Sequence, residues 1–372
     1  MSAHFDFAVI GGGLVGAALA RGIARENLRV CVLDEGDVAY RASRGNFALV
    51  WQQSKGINMP AYTNWTRRSV DLWPAYAAEL QNETGIDVAL RQDGGFHLAL
   101  SDAEMGRLVS IAERVNGQPG VNSYPYCVLD GDEIRRRLPG AGPEIVGGTY
   151  SPLDGHLNAL RLYRAMHRAL LAAGIDYRPG SKVARIDQHN GFSLSIEDGR
   201  QIKAQRIVLA AGLDNIRLAP MVGLSAPVRP QRGNIIVTEK AAPFLMIPVQ
   251  TVRQTDEGSV MIGDSQEEAG LSEDINTGIM GVMASRAVRM FPAIADLNII
   301  RMWACLRVLS PDGFPIYDQS ETHPGAFLAT CHSGVTLAAI HAASIAPHMA
   351  QGSLPEEARA FSARRLHVSK TT

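Results

Sequence analysis

Residues 7–36 read FAVIGGGLVGAALARGIARENLRVCVLDEG, and the spacing within this stretch decides the fold. FAVI has the length and apolar character of a buried strand, GGGLVG is typical of a tight turn, and AALARGIARENL repeats apolar residues at helical spacing. RVCVL is a second apolar strand, and it ends in acids. A strand, a glycine turn, a helix and a strand within about thirty residues form a right-handed βαβ unit of a parallel sheet. The sequence therefore predicts an α/β fold.

Three glycines and one acid give this unit the pattern of a dinucleotide site. Gly11, Gly13 and Gly16 form a GxGxxG turn, and Asp34 ends the second strand. In such a turn the glycines allow a tight bend, close approach of the pyrophosphate and close helix packing, while the acid accepts hydrogen bonds from the ribose. The alternative is a glycine turn with an empty crevice. The strand, the helix and the acid at the required distance favour a bound cofactor.

After this unit the chain mixes helices with short strands. Alternating or apolar runs predict strands, and apolar residues at helical spacing predict helices. The predicted helices cover Pro60–Gly85, Arg161–Ala173, Gly278–Met290 and Val335–Met349. The predicted strands are GGFHLAL, KVARIDQ, FSLSIED, RIVLAAG, RGNIIVTE, FLMIPVQTV, GSVMIGD, WACLRVL and GAFLAT, and the tail from Arg364 is predicted to be frayed.

The order of these segments favours FAD over NAD as the cofactor. A nicotinamide dehydrogenase usually continues in regular βαβ units, whereas this chain returns to its first sheet only with RIVLAAG, which ends in Ala211 and Gly212. We therefore predict two interleaved domains, an α/β FAD-binding domain and an antiparallel-sheet substrate domain. The FAD domain comprises residues 1–85, 150–220 and 325–372, and the substrate domain comprises residues 86–149 and 221–324.

Composition excludes several classes of protein. The formal net charge of −1 provides no broad positive field for nucleic acid or anionic lipid. The most apolar stretch, residues 7–20, is too short for a membrane span, and no basic residue precedes it as in a signal peptide. Neither the scattered histidines nor the four cysteines have ligand spacing, so we expect no metal site, no disulfide framework and a cytoplasmic protein. The cysteines are Cys31, Cys127, Cys305 and Cys331.

The chain resembles the D-amino-acid-oxidase superfamily of FAD amine oxidoreductases, which includes glycine oxidase and sarcosine oxidase. Four segments carry the resemblance most specifically, and they look most like the branch of opine oxidase catalytic B subunits, hydrogen cyanide synthase C subunits and dye-linked proline or hydroxyproline dehydrogenase beta subunits. These segments are ASRGNFALVWQQ (42–53), VRPQRG (228–233), RVLSPDGFPI (307–316) and ATCHSGVTLAA (329–339). The resemblance extends over nearly the whole chain and implies a glycine-oxidase-like fold.

The resemblance implies further cofactor contacts. A polar loop shortly after Asp34 wraps the pyrophosphate and the flavin, Val183 holds adenine through its backbone, and the turn CHSG directs a helix N-terminus at the flavin. The loop could instead be a surface turn, and His332 an ordinary turn histidine. The cofactor residues implied in this way are Ser43, Arg44, Gly45, Asn46, Val183, Ala211, Gly212, His332, Ser333, Gly334, Val335 and Thr336.

Arg307 is the strongest candidate for holding the substrate. It lies in the apolar strand WACLRVL, where a guanidinium is costly to bury unless it is paired, and a guanidinium binds a carboxylate with two hydrogen bonds. The resemblance places the carboxylate-binding arginine of amino-acid oxidases here; a structural ion pair is the alternative. We also predict Arg232, Trp51 and Gln52 as pocket residues, with core packing as the alternative for Trp51, and His332 as a catalytic residue.

SPLDGHLNA is a further family-like segment. His156 and Asn158 lie in it, and a polar turn that caps the following helix is the alternative role. Cys331 and Asp318 stand where many relatives have glycine, which fits the opine oxidase branch better than glycine oxidase. For this reason oxygen is not assumed to be the electron acceptor.

The activity expected is oxidation of a Cα–N bond by hydride transfer to flavin N5. The substrates expected are opines, proline or hydroxyproline, and glycine, in that order. The resemblance implies a hetero-oligomer whose partner subunits carry an FMN at an interface and an iron–sulfur cluster, with peripheral association with the inner membrane through the electron acceptors. The alternatives are a self-sufficient oxidase that uses oxygen, a nicotinamide dehydrogenase, and a non-catalytic FAD-bearing scaffold subunit.

Overall fold

The computed structural model describes residues 4–36 and 42–367. Its strands group into one large sheet and three smaller ones. In chain order the strands are β1 (His4–Ile10), β2 (Val30–Leu33), β3 (Leu49–Val50), β4 (Gly95–Ala99), β5 (Cys127–Asp130), β6 (Gly147–Ser151), β7 (Gly155–His156), β8 (Asp176–Arg178), β9 (Val183–His189), β10 (Gly191–Ile196), β11 (Gln201–Leu209), β12 (Arg229–Lys240), β13 (Val252–Gln254), β14 (Ser259–Ile262), β15 (Ile299–Leu309), β16 (Ile316–Gln319) and β17 (Ala326–Thr330).

The helices lie between these strands, mostly as crossovers or covering layers. The α-helices are α1 (Leu14–Ala24), α2 (Pro60–Thr84), α3 (Asp102–Asn116), α4 (Gly131–Arg137), α5 (Ala159–Ala172), α6 (Asn215–Leu218), α7 (Thr277–Met290), α8 (Gly334–Ile340) and α9 (Ala346–Ala350). One turn of π-helix, His341–Ile345, joins α8 to α9. Turns of 3₁₀-helix cover Gly212–Asp214, Ala219–Val222, Pro292–Asp296, Glu356–Phe361 and Ala363–His367.

The large sheet has the order β16-β17-β11-β1-β2-β8, and β10 and β9 are attached to β11. The pairs β17–β11, β11–β1, β1–β2 and β2–β8 are parallel, whereas β16, β10 and β9 pair antiparallel with their neighbours. The unit β1-α1-β2 is therefore the predicted βαβ unit. The α/β prediction is confirmed.

Both faces of this sheet are covered, which explains why β2 is apolar throughout. On one face Val30 and Val32 pack with residues of α1, α2, α5 and α8. On the other face Cys31 and Leu33 pack with the β9–β10 hairpin and with residues 218–228. The carboxyl ends of β1, β2 and β11 meet at one edge, where loops bind ligands in open α/β sheets.

The second region contains the sheet β13-β14-β12-β15 and the antiparallel sheet β4-β6-β5. One apolar core joins them: Phe96 and Leu98 of β4 pack with Ile236 of β12, Val260 of β14 and Met280 of α7. The predicted antiparallel texture is confirmed. The division into domains at the stated boundaries stays a prediction, and β16, within the range 221–324, pairs with β17 in the large sheet.

Two local predictions are wrong. FLMIPVQTV (244–252) forms no strand before Val252 except for a single bridge at Val249. Pro248 interrupts it, and the side-chain oxygen of Gln254 accepts the backbone N–H groups of Phe244 and Leu245. The tail from Arg364 is ordered as far as residue 367 in a 3₁₀-helix. Arg365 fixes it there through two hydrogen bonds to Asp312, of 2.8 and 3.0 Å. Residues 368–372 lie outside the described residues.

Candidate active site

The glycine turn between β1 and α1 is packed too tightly for any other residue type. Gly11 has φ +106°, and a Cβ there would lie 2.4 Å from the carbonyl oxygen of Ala210. A Cβ on Gly16 would lie 1.9 Å from the carbonyl oxygen of Gly11, so α1 rests directly on the turn. A Cβ on Gly13 would lie 2.7 Å from Ser43 Oγ. The turn thus brings the N-terminus of α1 against the loop that contains Ser43.

Asp34 lies beside this turn. Its two carboxylate oxygens accept the backbone N–H groups of Gly12 at 2.6 Å and Gly36 at 2.8 Å. A carboxylate offers about four acceptor positions, so each oxygen can accept a further hydroxyl. The pocket next to it is lined by Gly13, Asp34, Glu35, Gly36, Ser43, Arg44 and Tyr163.

The loop 43–46 forms hydrogen bonds with the start of α1 on one side and with strand β15 on the other. Ser43 Oγ accepts the backbone N–H of Leu14 at 3.0 Å. The carbonyl oxygen of Gly45 accepts hydrogen bonds from Trp303 Nε1 at 3.1 Å and Cys305 Sγ at 3.2 Å. Among the described residues, the buried Oδ1 of Asn46 has no hydrogen-bond partner. The loop is therefore fixed at both ends and not merely a surface turn.

These features fit the predicted dinucleotide. The turn provides a cradle that a Cβ would fill, Asp34 provides hydroxyl acceptors, and Asn46 Oδ1 is a buried acceptor that needs a donor. At the other predicted contacts, the carbonyl of Val183 accepts Arg217 Nη2 at 2.7 Å, and the N–H of Ala211 donates to Asn215 Oδ1 at 3.1 Å. Gly212 has φ +59°. The contacts of Val183, Ala211 and Gly212 with the cofactor stay predictions.

We expect replacement of Asp34 by alanine to weaken FAD binding by about 10- to 150-fold in Kd, because a hydrogen bond to a charged acceptor contributes about 1.5–3 kcal/mol. Equilibrium dialysis of the purified variant measures the change. Asp198→Ala is the matched control, since this exposed aspartate pairs with its neighbour Arg200. Equal FAD retention by the Asp34→Ala protein and its parent would refute the ribose assignment.

Arg307 comes from β15 and lies over Gly233 of β12. Its Nη1 donates to the carbonyl of Ser265 at 2.6 Å and that of Arg232 at 3.4 Å, and a Cβ on Gly233 would lie 2.6 Å from Nη1. Asp264 Oδ1 is 3.9 Å from Nη2. The backbone carbonyls thus orient the guanidinium without neutralising it, and the contact to Asp264 is longer than a hydrogen bond, so Nη2 keeps donors for a carboxylate ligand.

Asp264 is a site residue that sequence reasoning missed. It has φ +78°, which is unusual for a residue other than glycine, and Gln250 Nε2 donates to its Oδ2 at 3.1 Å. Burial raises the pKa of Asp264, while the charges of Arg307 and Lys55 lower it. The strained backbone holds this acid beside two cations.

Lys55 is a second site residue that sequence reasoning missed. It lies between β3 and α2, half-buried, and its Nζ donates to Ser333 Oγ at 3.2 Å. Tyr62 also donates to Ser333 Oγ, at 3.0 Å. Burial lowers the pKa of Lys55, against the attraction of Asp264 and Asp154, and Arg307 lowers it further. The available signal was a single lysine after the buried run Trp51–Gln53, which is an unusual place for a charge.

His332 connects these groups to the start of α8. Its side chain is exposed, and it lies near enough to Lys55 and Arg307 to feel both charges; the surface formed by these residues and Asp264 is called the cleft here. Desolvation and the charges of Lys55 and Arg307 hold the pKa of His332 well below its ordinary value, so the ring is neutral at neutral pH. The segment α8, the π-turn and α9 form the continuous helical stretch predicted over Val335–Met349.

The other residues of this segment have structural contacts. The hydroxyl of Thr336 donates to the carbonyl of Leu49 at 3.1 Å and accepts the backbone N–H of Trp51 at 3.2 Å. Ser333 accepts from Lys55 and Tyr62. The predicted flavin contacts of Ser333, Gly334, Val335 and Thr336 stay predictions.

Arg232 is already paired. Its guanidinium donates to Glu267 at 2.8 and 3.3 Å, and both side chains are nearly buried, with 12% and 10% exposed. Asn276 Nδ2 donates to the same carboxylate at 2.7 Å, and Asn234 Nδ2 also contacts it. These contacts favour a role for Arg232 in holding β12 against residues 265–276, so Arg307 is the stronger candidate for the substrate.

Trp51 and Gln52 are buried between the two regions. Trp51 Nε1 donates to His97 Nε2 at 3.0 Å, and the ring packs against Gly95. The N–H of Gln52 donates to Asp154 Oδ1 at 2.5 Å, and Gln52 Oε1 is a buried acceptor without a partner among the described residues. Core packing accounts for the position of Trp51, whereas Gln52 has an acceptor available for a ligand.

The capping alternative for SPLDGHLNA is confirmed for Asn158. Its Oδ1 accepts the N–H of Arg161 at 3.1 Å at the start of α5, and its Nδ2 donates to Asp256 at 2.9 Å. His156 is buried and pairs β7 with β3.

The side chains that could bind a metal are dispersed. Within residues 4–36 and 42–367, no group of three or more His, Cys, Asp or Glu side chains is arranged to hold a metal ion. The four cysteines are free thiols. Over the same ranges, no helix combines the length and the apolar character that crossing a bilayer requires.

Known proteins resemble this chain in sequence and in fold. A profile of the DAO family, described as FAD dependent oxidoreductase, matches residues 6–347. The chain is 47% identical over 365 residues to the opine oxidase B subunit of Agrobacterium tumefaciens (strain Ach5), with 98% of each chain covered. Glycine oxidase from Geobacillus kaustophilus superposes with a TM-score of 0.85 at 24% identity, covering 95% of this chain and 96% of the other. L-proline dehydrogenase from P. horikoshii superposes with a TM-score of 0.82 at 18% identity, covering 98% of each chain. The two superpositions concern the fold alone.

Proposed function

This chain belongs to the DAO family of FAD-dependent oxidoreductases, and from that premise we propose that it oxidises the Cα–N bond of an N-substituted amino acid, an opine in particular. Its cofactor is FAD. The observation that carries the proposal is the arrangement of Arg307, whose hydrogen bonds go to backbone carbonyl oxygens and whose only carboxylate contact among the described residues is the long one to Asp264, at 3.9 Å. A cation and an acid at this separation suit the carboxylate and the amine of one amino acid.

Arg307 binds and orients the substrate carboxylate. A guanidinium presents its donors in a planar fork that matches a carboxylate, and the carbonyls of Ser265 and Arg232 fix that plane before substrate arrives. Fixing the carboxylate fixes the position of the Cα–H bond. Positioning of this kind contributes much of the rate when the cofactor supplies the chemistry.

The bound FAD supplies the hydride acceptor at its N5 atom. The chain's own contribution is to keep the amine neutral, since a lone pair on nitrogen must form the new C=N bond. Burial in the cleft disfavours an ammonium, whereas an ionised Asp264 favours it. Burial raises the pKa of Asp264 and so limits this opposing effect, while a carboxyl oxygen of Asp264 accepts the remaining N–H of the amine. No side chain is required as an obligatory base. Water then hydrolyses an open-chain imine to a 2-oxo acid and an amine.

The start of α8 contributes electrostatic stabilisation. The first N–H groups of a helix carry partial positive charge and stabilise negative charge that develops near them. His332, directly before this helix, donates one hydrogen bond in its neutral form and adds no cation. We assign to His332 and to residues 333–336 the role of stabilising negative charge that develops on their side of the cleft.

The chain is proposed to act as the catalytic subunit of a hetero-oligomer. Support comes from the name of its relative, which is the B subunit of an opine oxidase, and from the four separate cysteines, which cannot assemble an iron–sulfur cluster here. The partners would carry an FMN at an interface and an iron–sulfur cluster. Such a complex would pass electrons to a respiratory acceptor, in the cytoplasm or at the inner membrane surface.

A self-sufficient oxidase is the second candidate, since glycine oxidase of Geobacillus kaustophilus (strain HTA426) is also a sequence relative, 24% identical over 377 residues. The two functions differ in their electron acceptor. We expect the affinity-tagged chain from its native host to co-purify with other subunits and to reduce an artificial dye with N-substituted amino acids, releasing a 2-oxo acid. A chain that purifies alone and turns over rapidly with oxygen would support the oxidase instead. A chain whose flavin no amine reduces would be a scaffold subunit.

A further inference from the structure

The cleft contains one more cationic side chain than the binding of an ordinary amino acid requires. In the proposed function, Arg307 binds the carboxylate of the substrate and Asp264 accepts a hydrogen bond from its amine. Lys55 is left over, and a half-buried ammonium without an anionic partner is costly. Within the described residues, no carboxylate oxygen lies within 4 Å of Lys55, and its Nζ donates to a neutral hydroxyl, Ser333 Oγ.

The nearby acids do not neutralise Lys55. Asp154 is fully buried and accepts the N–H of Gln52 and, at 2.8 Å, Nε2 of Gln53. Asp264 accepts Gln250 Nε2 and lies nearer to Arg307. Both acids attract Lys55 only at longer range. Lys55 therefore has donors available for an anion from outside the chain.

Lys55 and Arg307 approach His332 from different elements of the fold. Lys55 comes from the segment between β3 and α2 and contacts Ser333 at the start of α8, whereas Arg307 comes from β15 in the other sheet. The charges of both cations act on His332, which follows Cys331 in the turn between them. A ligand placed beside His332 therefore lies near both cations, and two anionic groups of one ligand suit this pair of charges.

We propose that Lys55 binds a second carboxylate of the substrate, so that the cleft selects N-(carboxyalkyl) amino acids, with Arg307 on one carboxylate and Asp264 on the bridging amine. This assignment rests on the proposed function. It makes Lys55 a specificity-determining residue, because a simple amino acid leaves its ammonium unpaired and only a dicarboxylate pairs it.

The test compares two ligands that differ by one carboxylate. Iminodiacetate has two carboxylates flanking a secondary amine, and N-methylglycine has one. Their Kd values are measured anaerobically, from the perturbation of the flavin absorption spectrum on binding and from the substrate dependence of flavin reduction. The variants are Lys55→Met and Lys55→Arg, and Lys182→Met is the control, because Lys182 is only partly buried and pairs with Glu197.

We expect Lys55→Met to raise the Kd of iminodiacetate by about 10- to 100-fold, the effect of losing one charge-assisted hydrogen bond. The Kd of N-methylglycine should change by less than about threefold, FAD content should not change, and Lys55→Arg should restore most of the affinity. Lys182→Met should resemble the parent.

Two results would overturn the proposal. One is an equal loss for both ligands in Lys55→Met, which would assign Lys55 to the flavin or to the fold. The other is full retention of the preference for iminodiacetate. Failure of the proposed function looks different: neither ligand would reduce the parent's flavin, while the binding spectra would still report whether Lys55 distinguishes one carboxylate from two.

Discussion

Replacing Arg307 by lysine is expected to lower kcat/KM for flavin reduction by about 10²- to 10³-fold. Lysine keeps the charge but loses the fork that the carbonyls of Ser265 and Arg232 hold in place. The substrate carboxylate would then be poorly paired in a desolvated cleft, a loss of about 3–4 kcal/mol. Anaerobic stopped-flow reduction of the flavin measures this change, and FAD content should stay at the parent's level.

Arg229→Lys is the matched control for this experiment. Arg229 lies on β12, pairs with β15 two residues from Arg307, and contacts the exposed Glu268. Substrate should reduce the flavin of the Arg229→Lys protein at the parent's rate. A folded Arg307→Lys protein whose flavin is reduced by substrate as fast as the parent's would show that Arg307 does not hold the substrate.

Replacing Gly16 by alanine is expected to destabilise the protein by at least about 3 kcal/mol and to abolish FAD retention. The added Cβ would lie 1.9 Å from the backbone oxygen of Gly11, which cannot move without opening the turn or displacing α1. Denaturant unfolding measures the free energy, and the absorbance of the purified protein measures FAD.

Gly281→Ala is the control for this substitution. Gly281 is also inside a helix, α7, but a Cβ there has no atom within 4 Å. We expect this variant to be as stable as its parent or slightly more stable, because alanine favours helix over glycine by about 1 kcal/mol. A Gly16→Ala protein of parental stability that binds FAD would contradict the close packing of α1 on the turn.

The cofactor half of the site could be predicted from the sequence because its determinants are local. The βαβ unit follows from the spacing of apolar residues, which changes from that of a strand to that of a helix within thirty residues. The length of the helix sets the sequence distance from Gly11 to Asp34. Arg307 could also be predicted, since an arginine in an apolar strand is unusual wherever the strand lies. Helix α3, which sequence reasoning missed, also has a local signal at its start, the S-x-x-E pattern of Ser101 and Glu104.

The substrate half depends on tertiary contacts that no local pattern encodes. Lys55 and Asp264 lie more than two hundred residues apart in the sequence, yet their charges interact in the fold, and nothing in either segment indicates the other. The role of Arg232 depends on Glu267, which reaches it from the chain segment after β14. The strand predicted at Phe244 was wrong for a similar reason: a distant side chain, Gln254, takes the N–H groups that a strand would have used.

The central claim is that this chain itself oxidises an amine with its bound FAD, and the most direct test is an anaerobic titration of the purified, FAD-loaded protein with an N-(carboxyalkyl) amino acid. We expect the visible flavin absorbance to bleach in proportion to the substrate added, with release of one 2-oxo acid per flavin reduced. A flavin that stays oxidised at saturating substrate, yet is bleached at once by dithionite, would contradict the claim.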